Sequence, residues 1–231
     1  NGAIYNFPEL RTELESLGYA FYSGGDTEVL LKGYHAWGEA LLPKLNGMFA
    51  FAIWERDAQR LFIARDRLGV KPLYLSRTGQ RLRFASALPA LLKGGDINPI
   101  LDPVALNHYL NFHAVVPAPR TLLAGIEKLP PATWMRIEAD GTTEQKTWWT
   151  LPYGPHADEM NLTLEDWRDR VLDSTRDAVA IRQRAAVDVG VLLSGGVDSS
   201  LLVGLLREVG VENLSTFSIG FQDAGGERGD E

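Results

Sequence analysis

Apolar positions in the first 112 residues alternate between helical and strand spacing. Residues 8–17 and 26–37 repeat apolar side chains every three to four positions, which predicts two helices, and Asp26 is interpreted as the N-cap of the second. Asp102-Pro103 predicts the start of another helix, which ends near residue 112. Between these helices, short apolar runs joined by short polar turns predict antiparallel strands at residues 48–54, 61–64, 73–76 and 82–86.

The pattern changes character near residue 150. Residues 116–131 contain four prolines and are predicted to run extended along the surface, whereas residues 133–148 predict a hairpin. Residues 152–158 are interpreted as a linker because proline, glycine and histidine follow one another closely. Residues 164–184 predict a long amphipathic helix, whose inner side would carry Trp167, Val171, Leu172 and Val179.

The last part of the chain predicts a strand–helix–strand unit. A buried strand at 189–193 is followed by a glycine turn, a helix at 199–209 and a strand at 214–221, which is the spacing of a parallel βαβ unit. The predicted fold class is therefore an α+β sandwich with antiparallel sheets, followed by the start of an α/β domain with a parallel sheet. The corresponding domains are residues 1–152 and 160–231.

Composition excludes several classes of protein. The chain of 231 residues is 45% apolar and 23% charged, as in ordinary soluble globular proteins, and it has no apolar run long enough for a membrane helix. Its net charge of −7 argues against binding nucleic acid through the overall field. It contains no cysteine, which fits a cytoplasmic protein, and its four histidines lack metal-site spacing. Both ends look cut, so a fragment of a longer protein is expected.

The sequence Ser194-Gly195-Gly196-Val197-Asp198-Ser199 links the predicted strand to the predicted helix. Such a turn directs backbone N–H groups and the positive end of a helix dipole at one point, and glycine lets an anion approach closely. Hydroxyl groups can donate to phosphate oxygens, and an aspartate can hold Mg²⁺. No lysine follows residue 146, which excludes a Walker A loop. A nucleotide phosphate site is predicted; the alternative is a tight turn in which Asp198 merely caps the helix.

This hexapeptide resembles the pyrophosphate loop of ATP pyrophosphatases, a group that includes GMP synthetase, NAD synthetase, argininosuccinate synthetase and tRNA-modifying enzymes. Together with four ordered motifs in the first half, it resembles glutamine-hydrolysing asparagine synthetases over essentially the whole chain. Those motifs are NGAIYN at 1–6, GGDTE at 24–28, NGMFAFA at 46–52 and RDRLGVKPLY at 65–74. Two further segments, 112–121 and 225–231, resemble one branch, the N-acetylglutaminylglutamine amidotransferases.

The resemblance implies a class II glutaminase domain of the N-terminal-nucleophile hydrolase type, followed by an ATP-pyrophosphatase synthetase domain. Asn1 and the Gly2 N–H would form an oxyanion hole, Asp26 would bind the α-ammonium of glutamine, and Ala3 would lie beside it, where relatives usually carry glutamate. The nucleophilic cysteine would lie upstream of Asn1. The ATP site would contain Leu193, Ser194, Gly195, Gly196, Val197, Asp198, Ser199 and Ile219, with Asp198 on the metal.

Alternative interpretations remain for several of these residues. Asp26 could serve only as a helix N-cap, or combine that role with binding of the ammonium group. For Arg65, Asp66 and Lys71, an ion-paired loop that supports the hairpin is favoured over a functional role. Another departure from the family pattern is Ala87, where many members have glutamate.

The implied activity is that of a glutamine- and ATP-dependent amide ligase. Glutamine hydrolysis would supply ammonia to a carboxylate that ATP·Mg²⁺ has adenylated, either aspartate or a dipeptide such as N-acetylglutaminylglutamine. No organic prosthetic group, nucleic acid or membrane partner is expected, and a homodimer is left open. The alternatives are a β-lactam synthetase-like enzyme with a degenerate glutaminase half, and a non-catalytic binding or regulatory protein. These residues alone are expected to be inactive.

Overall fold

The computed structural model describes residues 1–97, 99–154, 156–184 and 189–220. The chain divides into two compact units, Asn1–Pro152 and Tyr153–Glu231. Residue 221, the predicted end of the last strand, and the branch-like segment 225–231 lie outside the described residues.

The first unit is built from short helices and antiparallel strands. Its helices are α1 (Phe7–Ser16), α2 (Asp26–Trp37), α3 (Leu41–Lys44), α4 (Leu88–Lys93) and α5 (Pro103–Asn111). Its strands are β1 (Gly2–Ile4), β2 (Gly47–Glu55), β3 (Arg60–Arg65), β4 (Tyr74–Thr78), β5 (Arg81–Ala85), β6 (Ile126–Lys128), β7 (Thr133–Ile137) and β8 (Thr143–Thr147). Across the described parts of both units, none of the helices is long and apolar enough to cross a lipid bilayer.

A five-stranded antiparallel sheet lies at the centre of this unit, in the order β1-β2-β3-β7-β8. Successive side chains of a strand point to opposite faces. Phe62 and Ala64 accordingly pack in a core with α1 and α2, while Ile63 packs on the other face with Leu75 and Leu129. The second sheet, β5-β4-β6, is also antiparallel. The predicted antiparallel α+β architecture is confirmed for this unit.

The proline-rich segment 116–131 is not confined to the surface, and that prediction is wrong. It contributes β6, which pairs with β4, and its residues Val116, Thr121 and Leu129 are buried. The Thr121 hydroxyl donates to the Ile126 carbonyl at 2.9 Å, which satisfies a polar group inside the core. Proline interrupts a hydrogen-bonded ladder, but the apolar residues between prolines can still face the interior.

The second unit contains α6 (Leu164–Arg182), β9 (Gly190–Leu192), α7 (Val197–Glu208) and β10 (Ser215–Phe217). Strands β9 and β10 pair in parallel, as predicted, and the chain passes through α7 between them. A small core joins the helices through Val179, Leu205 and Leu206. Gly210 follows the C-cap of α7 with φ +93°, and the hydrogen bonds from Gly210 N–H to the Arg207 carbonyl and from Val211 N–H to the Leu206 carbonyl form a Schellman motif.

Several apolar residues of the second unit are exposed, contrary to the predictions. Leu192 of β9 is 75% exposed, so this strand is not fully buried. On α6, Trp167 and Val171 are 39% and 61% exposed, so the prediction that both lie on the inner side is wrong. Within the described residues the parallel sheet has two strands. A sheet of this width is too narrow to bury all the apolar side chains of the helices beside it.

Candidate active site

Strand β1 presents two backbone N–H groups on the open edge of the central sheet. Asn1 exchanges both of its backbone hydrogen bonds with Ala50, at 3.0 and 2.9 Å. Because the pairing of antiparallel strands alternates, the N–H groups of Gly2 and Ile4 point away from β2. The Ile4 N–H donates to Asp26 Oδ2 at 3.0 Å. The Gly2 N–H points toward the same edge, where it can donate to an incoming group.

Close approach of β1 and β2 explains the glycines at positions 2 and 47. A Cβ atom on Gly2 would lie 2.1 Å from the Met48 carbonyl oxygen, and one on Gly47 would lie 2.2 Å from the Ala3 carbonyl oxygen. Gly2 also has φ +150°, a conformation that other residues rarely adopt. Both glycines are therefore required by the geometry of this strand pair.

Asp26 is the first residue of α2, and its carboxylate does not cap that helix. The N-cap position is occupied by Gly25, and no side chain caps the helix, so the N-cap interpretation of Asp26 is wrong. The carboxylate turns instead toward β1, where Oδ2 accepts the Ile4 N–H. Its other oxygen, Oδ1, has a long contact of 3.4 Å with the Thr27 hydroxyl. Asp26 therefore has one oxygen engaged and one available.

The structure brings together the four residues predicted for the glutamine site, namely Asn1, Gly2, Ala3 and Asp26. They line a pocket of about 260 Å³ whose walls also include Thr27, Leu30, Phe49 and Phe51. The Asn1 side chain is exposed and has no hydrogen-bond partner among the described residues. Small ligand sites combine an apolar wall with a few polar groups in this way. The sequence did not predict the apolar wall, because helical and strand periodicity mark such residues only as core.

A larger cavity of about 660 Å³ lies toward the other end of α2 and contains none of the predicted residues. Its charged groups satisfy one another: Arg60 donates to both Glu55 oxygens, and the Tyr34 hydroxyl donates to Glu55 at 2.7 Å. Burial and the neighbouring Glu55 raise the pKa of Tyr34 above its usual range. The cavity thus offers few unpaired polar groups to a ligand, despite its size.

The loop before Asp26 is held by side chains from the two flanking helices. Glu28 accepts hydrogen bonds from the N–H groups of Tyr22 and Ser23, and Lys32 donates to both Glu28 and the Ala20 carbonyl. Arg11 donates to the Ser23 carbonyl at 2.8 Å. The hydrogen bonds from Lys32 and Ser23 lower the pKa of Glu28 to about 2. These contacts fix the connection that leads into α2.

We predict that Glu28→Gln weakens this loop in a pH-dependent manner. The Glu28 pKa is about 2 in the folded protein, against an ordinary value of 4.5, so its contribution to stability is present above pH 4.5 and is lost as the pH falls toward 2. The difference in Tm between wild type and variant should therefore be constant near neutral pH and shrink in that window. Thermal unfolding from pH 7 to pH 2.5 measures it, and exposed Glu39→Gln is the control. A constant difference down to pH 2.5 would contradict the assignment.

Arg65 and Asp66 support the loop after β3, as predicted, but they do so through hydrogen bonds to backbone groups: the described part of the chain shows no close ion pair of Arg65, Asp66 or Lys71. The Asp66 carboxylate is buried and accepts N–H groups from Phe49, Leu68, Val70 and Lys71 at 2.9–3.2 Å. The Arg65 guanidinium donates to the carbonyl groups of Gly69, Lys71 and Leu129. Desolvation lowers the pKa of Arg65. Their favoured role as structural supports is consistent with these contacts.

The glycine turn of the second unit places two hydroxyl groups side by side. Ser194 Oγ and Ser199 Oγ are 3.3 Å apart, and Gly195 adopts φ +81° between them in sequence. Gly196 is the N-cap of α7, and no side chain caps the helix. The alternative in which Asp198 caps α7 is therefore wrong. The N–H groups of the first turn are left for water or an anion.

The other residues predicted to contact the nucleotide differ in exposure and in the use of their backbone groups. Val197 and Ile219 are 84% and 78% exposed, so both can contact a ligand. Leu193 already uses its backbone within the unit: its N–H donates to Phe217 at 2.8 Å, and its carbonyl accepts the Ser218 hydroxyl at 2.7 Å. A nucleotide can therefore reach Leu193 mainly through its side chain or the second lone pair of its carbonyl.

The residues around Asp198 fit Mg²⁺ bound together with phosphate. Asp198 is exposed, and its carboxylate has no ion-pair partner within the described ranges. The same ranges contain no group of three acidic, histidine or cysteine side chains that could hold a metal alone. One carboxylate is nevertheless sufficient for Mg²⁺, since this ion commonly combines one or two carboxylates with substrate phosphates.

Comparison with known proteins gives matches along most of the chain. Residues 1–149 match the family model of a glutamine amidotransferase domain, and residues 170–231 match that of asparagine synthase. Glutamine-hydrolyzing asparagine synthetase 1 of Bacillus subtilis is 40% identical over 226 residues, 97% of this chain and 34% of the relative. A putative asparagine synthetase of Mycobacterium tuberculosis is 37% identical over 229 residues, 97% and 35% of the two chains.

Among solved structures, the glutamine phosphoribosylpyrophosphate amidotransferase from Bacillus subtilis gives a TM-score of 0.45 at 17% identity, over 97% of this chain and 46% of that chain. The present chain spans about a third of the length of the curated relatives that it matches.

Proposed function

Because the chain belongs to the glutamine amidotransferase family, as its motifs predicted, we propose that it is part of a glutamine- and ATP-dependent amide ligase. Residues 1–152 would be the type 2 glutamine amidotransferase domain, and residues 160–231 the start of the ATP-pyrophosphatase domain. One observation carries the glutaminase assignment: Asn1, Gly2 and Asp26 line a single small pocket at the open edge of the central sheet.

In the first unit, Asp26 binds the α-ammonium of glutamine, while the Asn1 carboxamide and the Gly2 N–H donate to the side-chain carbonyl oxygen. A cysteine thiolate, which must come from outside these residues because they contain none, attacks the amide carbon. The oxyanion of the tetrahedral intermediate is stabilised by the two donors. The C–N bond then breaks, the departing nitrogen takes up a proton and leaves as ammonia, and water hydrolyses the thioester to glutamate and the free thiol.

In the second unit, the carboxylate of an acceptor attacks the α-phosphorus of ATP and releases pyrophosphate. Ser194, Gly195, Gly196 and Ser199 bind the pyrophosphate group, and Asp198 would hold the Mg²⁺ that neutralises phosphate charge. Leu193, Val197 and Ile219 contact the nucleotide. Ammonia attacks the acyl carbon, AMP leaves, and an amide is formed. Aspartate is the first candidate acceptor because relatives are named asparagine synthetases; a dipeptide such as N-acetylglutaminylglutamine is the second.

The direct test uses the full-length protein with glutamine, ATP·Mg²⁺ and each acceptor, with glutamate and AMP measured separately. Formation of both products in the presence of aspartate or the dipeptide supports the proposal and identifies the acceptor. AMP without glutamate would instead indicate a β-lactam synthetase-like enzyme, and neither product would indicate a non-catalytic protein. Ser194→Ala and Asp198→Ala should reduce AMP formation while the glutaminase activity remains.

Asn1→Ala is expected to lower kcat for glutamine hydrolysis about 100-fold, the typical cost of removing one oxyanion donor. The side chain of Asn1 has no structural partner in the described residues, so the fold should be retained. AMP formation with free ammonia should be unchanged, and it serves as the internal control. An unchanged kcat with glutamine would exclude Asn1 from the oxyanion hole.

A further inference from the structure

Strand β1 is a three-residue edge strand whose position decides where the Gly2 N–H points. Its inner edge is fixed to β2 by hydrogen bonds such as Tyr5 N–H to the Asn46 carbonyl at 2.8 Å. Its outer edge is held by a single carboxylate oxygen, Asp26 Oδ2, through the Ile4 N–H. Gly2 and Ile4 are two residues apart on that edge, about 7 Å along an extended strand.

We infer that Asp26 is also a positioning residue: through Ile4 it orients β1, the strand beside the proposed oxyanion donors Asn1 and Gly2. This inference rests on the proposed function, in which Asp26 binds the substrate ammonium. Its two oxygens have separate tasks. Oδ2 accepts the Ile4 N–H at 3.0 Å, whereas Oδ1 accepts only a long hydrogen bond of 3.4 Å from the Thr27 hydroxyl among the described residues and is available for the ammonium. Substrate binding and oxyanion geometry therefore depend on one side chain, through different atoms.

The surroundings of Asp26 favour this role over simple support of the helix. Gly25, not Asp26, occupies the N-cap position of α2, so the carboxylate contributes no capping bond. Ile4 is 4% exposed, and loss of the acceptor would leave its N–H without a partner beside the pocket. The edge of β1 would then be free to shift. A displacement of about 1 Å in a catalytic donor can cost about 100-fold in rate.

The two functions can be separated with Asp26→Asn and Asp26→Ala in the full-length protein. The asparagine carbonyl still accepts the Ile4 N–H but carries no charge, so KM for glutamine should rise roughly 10- to 100-fold while kcat changes less than about threefold. Asp26→Ala loses both interactions, so the same rise in KM should be joined by a fall in kcat of about 10- to 100-fold. If the alanine variant does not fold, Asp26→Ser replaces it.

Hydrogen exchange of the Ile4 amide supplies a readout that does not require activity. The amide should be protected in the wild type and in Asp26→Asn, and should exchange at least 10-fold faster in Asp26→Ala. Equal kcat values for the two variants, or equal Ile4 exchange in all three proteins, would overturn the inference. Failure of the proposed function would look different, because the wild type would then form no glutamate while the pattern of Ile4 exchange persisted.

Discussion

Asp66→Asn is expected to destabilise the first unit by about 2–6 kcal/mol, the cost of leaving two N–H groups without an acceptor. Oδ1 accepts the N–H groups of Leu68 and Val70, and Oδ2 accepts those of Phe49 and Lys71. In either orientation, the amide nitrogen of asparagine would face two donors. The destabilisation should lie in the lower half of the range if that nitrogen faces Leu68 and Val70. Both residues are exposed, so water can replace the lost acceptor there.

The effect should extend to the proposed glutamine pocket, because Asp66 forms two hydrogen bonds with the backbone of β2. The Asp66 N–H donates to the Phe49 carbonyl, and the Asp66 carboxylate accepts the Phe49 N–H in return. Phe49 is paired with Gly2 and lines the proposed glutamine pocket. Loss of the Asp66 hydrogen bonds would therefore weaken the hold on β2, the strand that pairs with β1.

Urea unfolding of the full-length protein measures this destabilisation, and hydrogen exchange of peptides from residues 47–65 assigns the transition to the first unit. Asp57→Asn is the matched control, since Asp57 lies exposed in the turn between β2 and β3. It should change stability by no more than about 0.5 kcal/mol. Equal stabilities of the two variants would show that the Asp66 carboxylate is not a structural anchor.

The three longer helices and six of the strands of the first unit could be predicted because each has a clear periodicity. The short elements β1, α3, α4 and β6 could not, since three to six residues are too few to show one. The sequence also allowed Asn1, Gly2 and Asp26 to be grouped, but only through the family motifs: residues 1–2 and residue 26 are separated by a whole helix. What brings them together is the pairing of β1 along the edge of β2 and the start of α2 beside it. Neither relation is encoded in local spacing.

The interpretation of Asp26 illustrates why local rules reached a wrong result. Aspartate before a helical pattern usually caps the helix, but Gly25 takes that position here and the carboxylate satisfies a donor on an edge strand. An unpaired N–H on a strand edge is a tertiary feature. In the same way, periodicity could not show that Asp66 accepts N–H groups from two different segments.

In the second unit, the elements could be predicted from the sequence but their burial could not. The glycine turn and the parallel strand pair could be predicted because the apolar runs and the Gly-Gly sequence are local. Burial could not be predicted in the same way, since it depends on what covers an element. Leu192 and Val171 satisfy the apolar pattern of a strand and a helix, respectively, yet both are exposed among the described residues.

Gly2→Ala is expected to reduce glutamine hydrolysis about 1,000-fold or more, because it disturbs both proposed oxyanion donors at once. The new Cβ would lie 2.1 Å from the Met48 carbonyl oxygen and 2.7 Å from Phe49 Cα. Both atoms belong to the backbone of β2, which Asp66 anchors, so the strand that must move is β1. Its movement displaces the Gly2 N–H and the adjacent Asn1 side chain together.

Steady-state kinetics with glutamine and with free ammonia tests this expectation. The ammonia-dependent formation of AMP should stay near the wild-type rate, since the altered strand belongs to the first unit. Gly24→Ala is the matched control: a Cβ there meets nothing within 4 Å, and the residue precedes Asp26 by two positions. Should Gly2→Ala retain glutamine-dependent activity equal to that of Gly24→Ala, close approach of β1 and β2 would not be what positions the oxyanion donors.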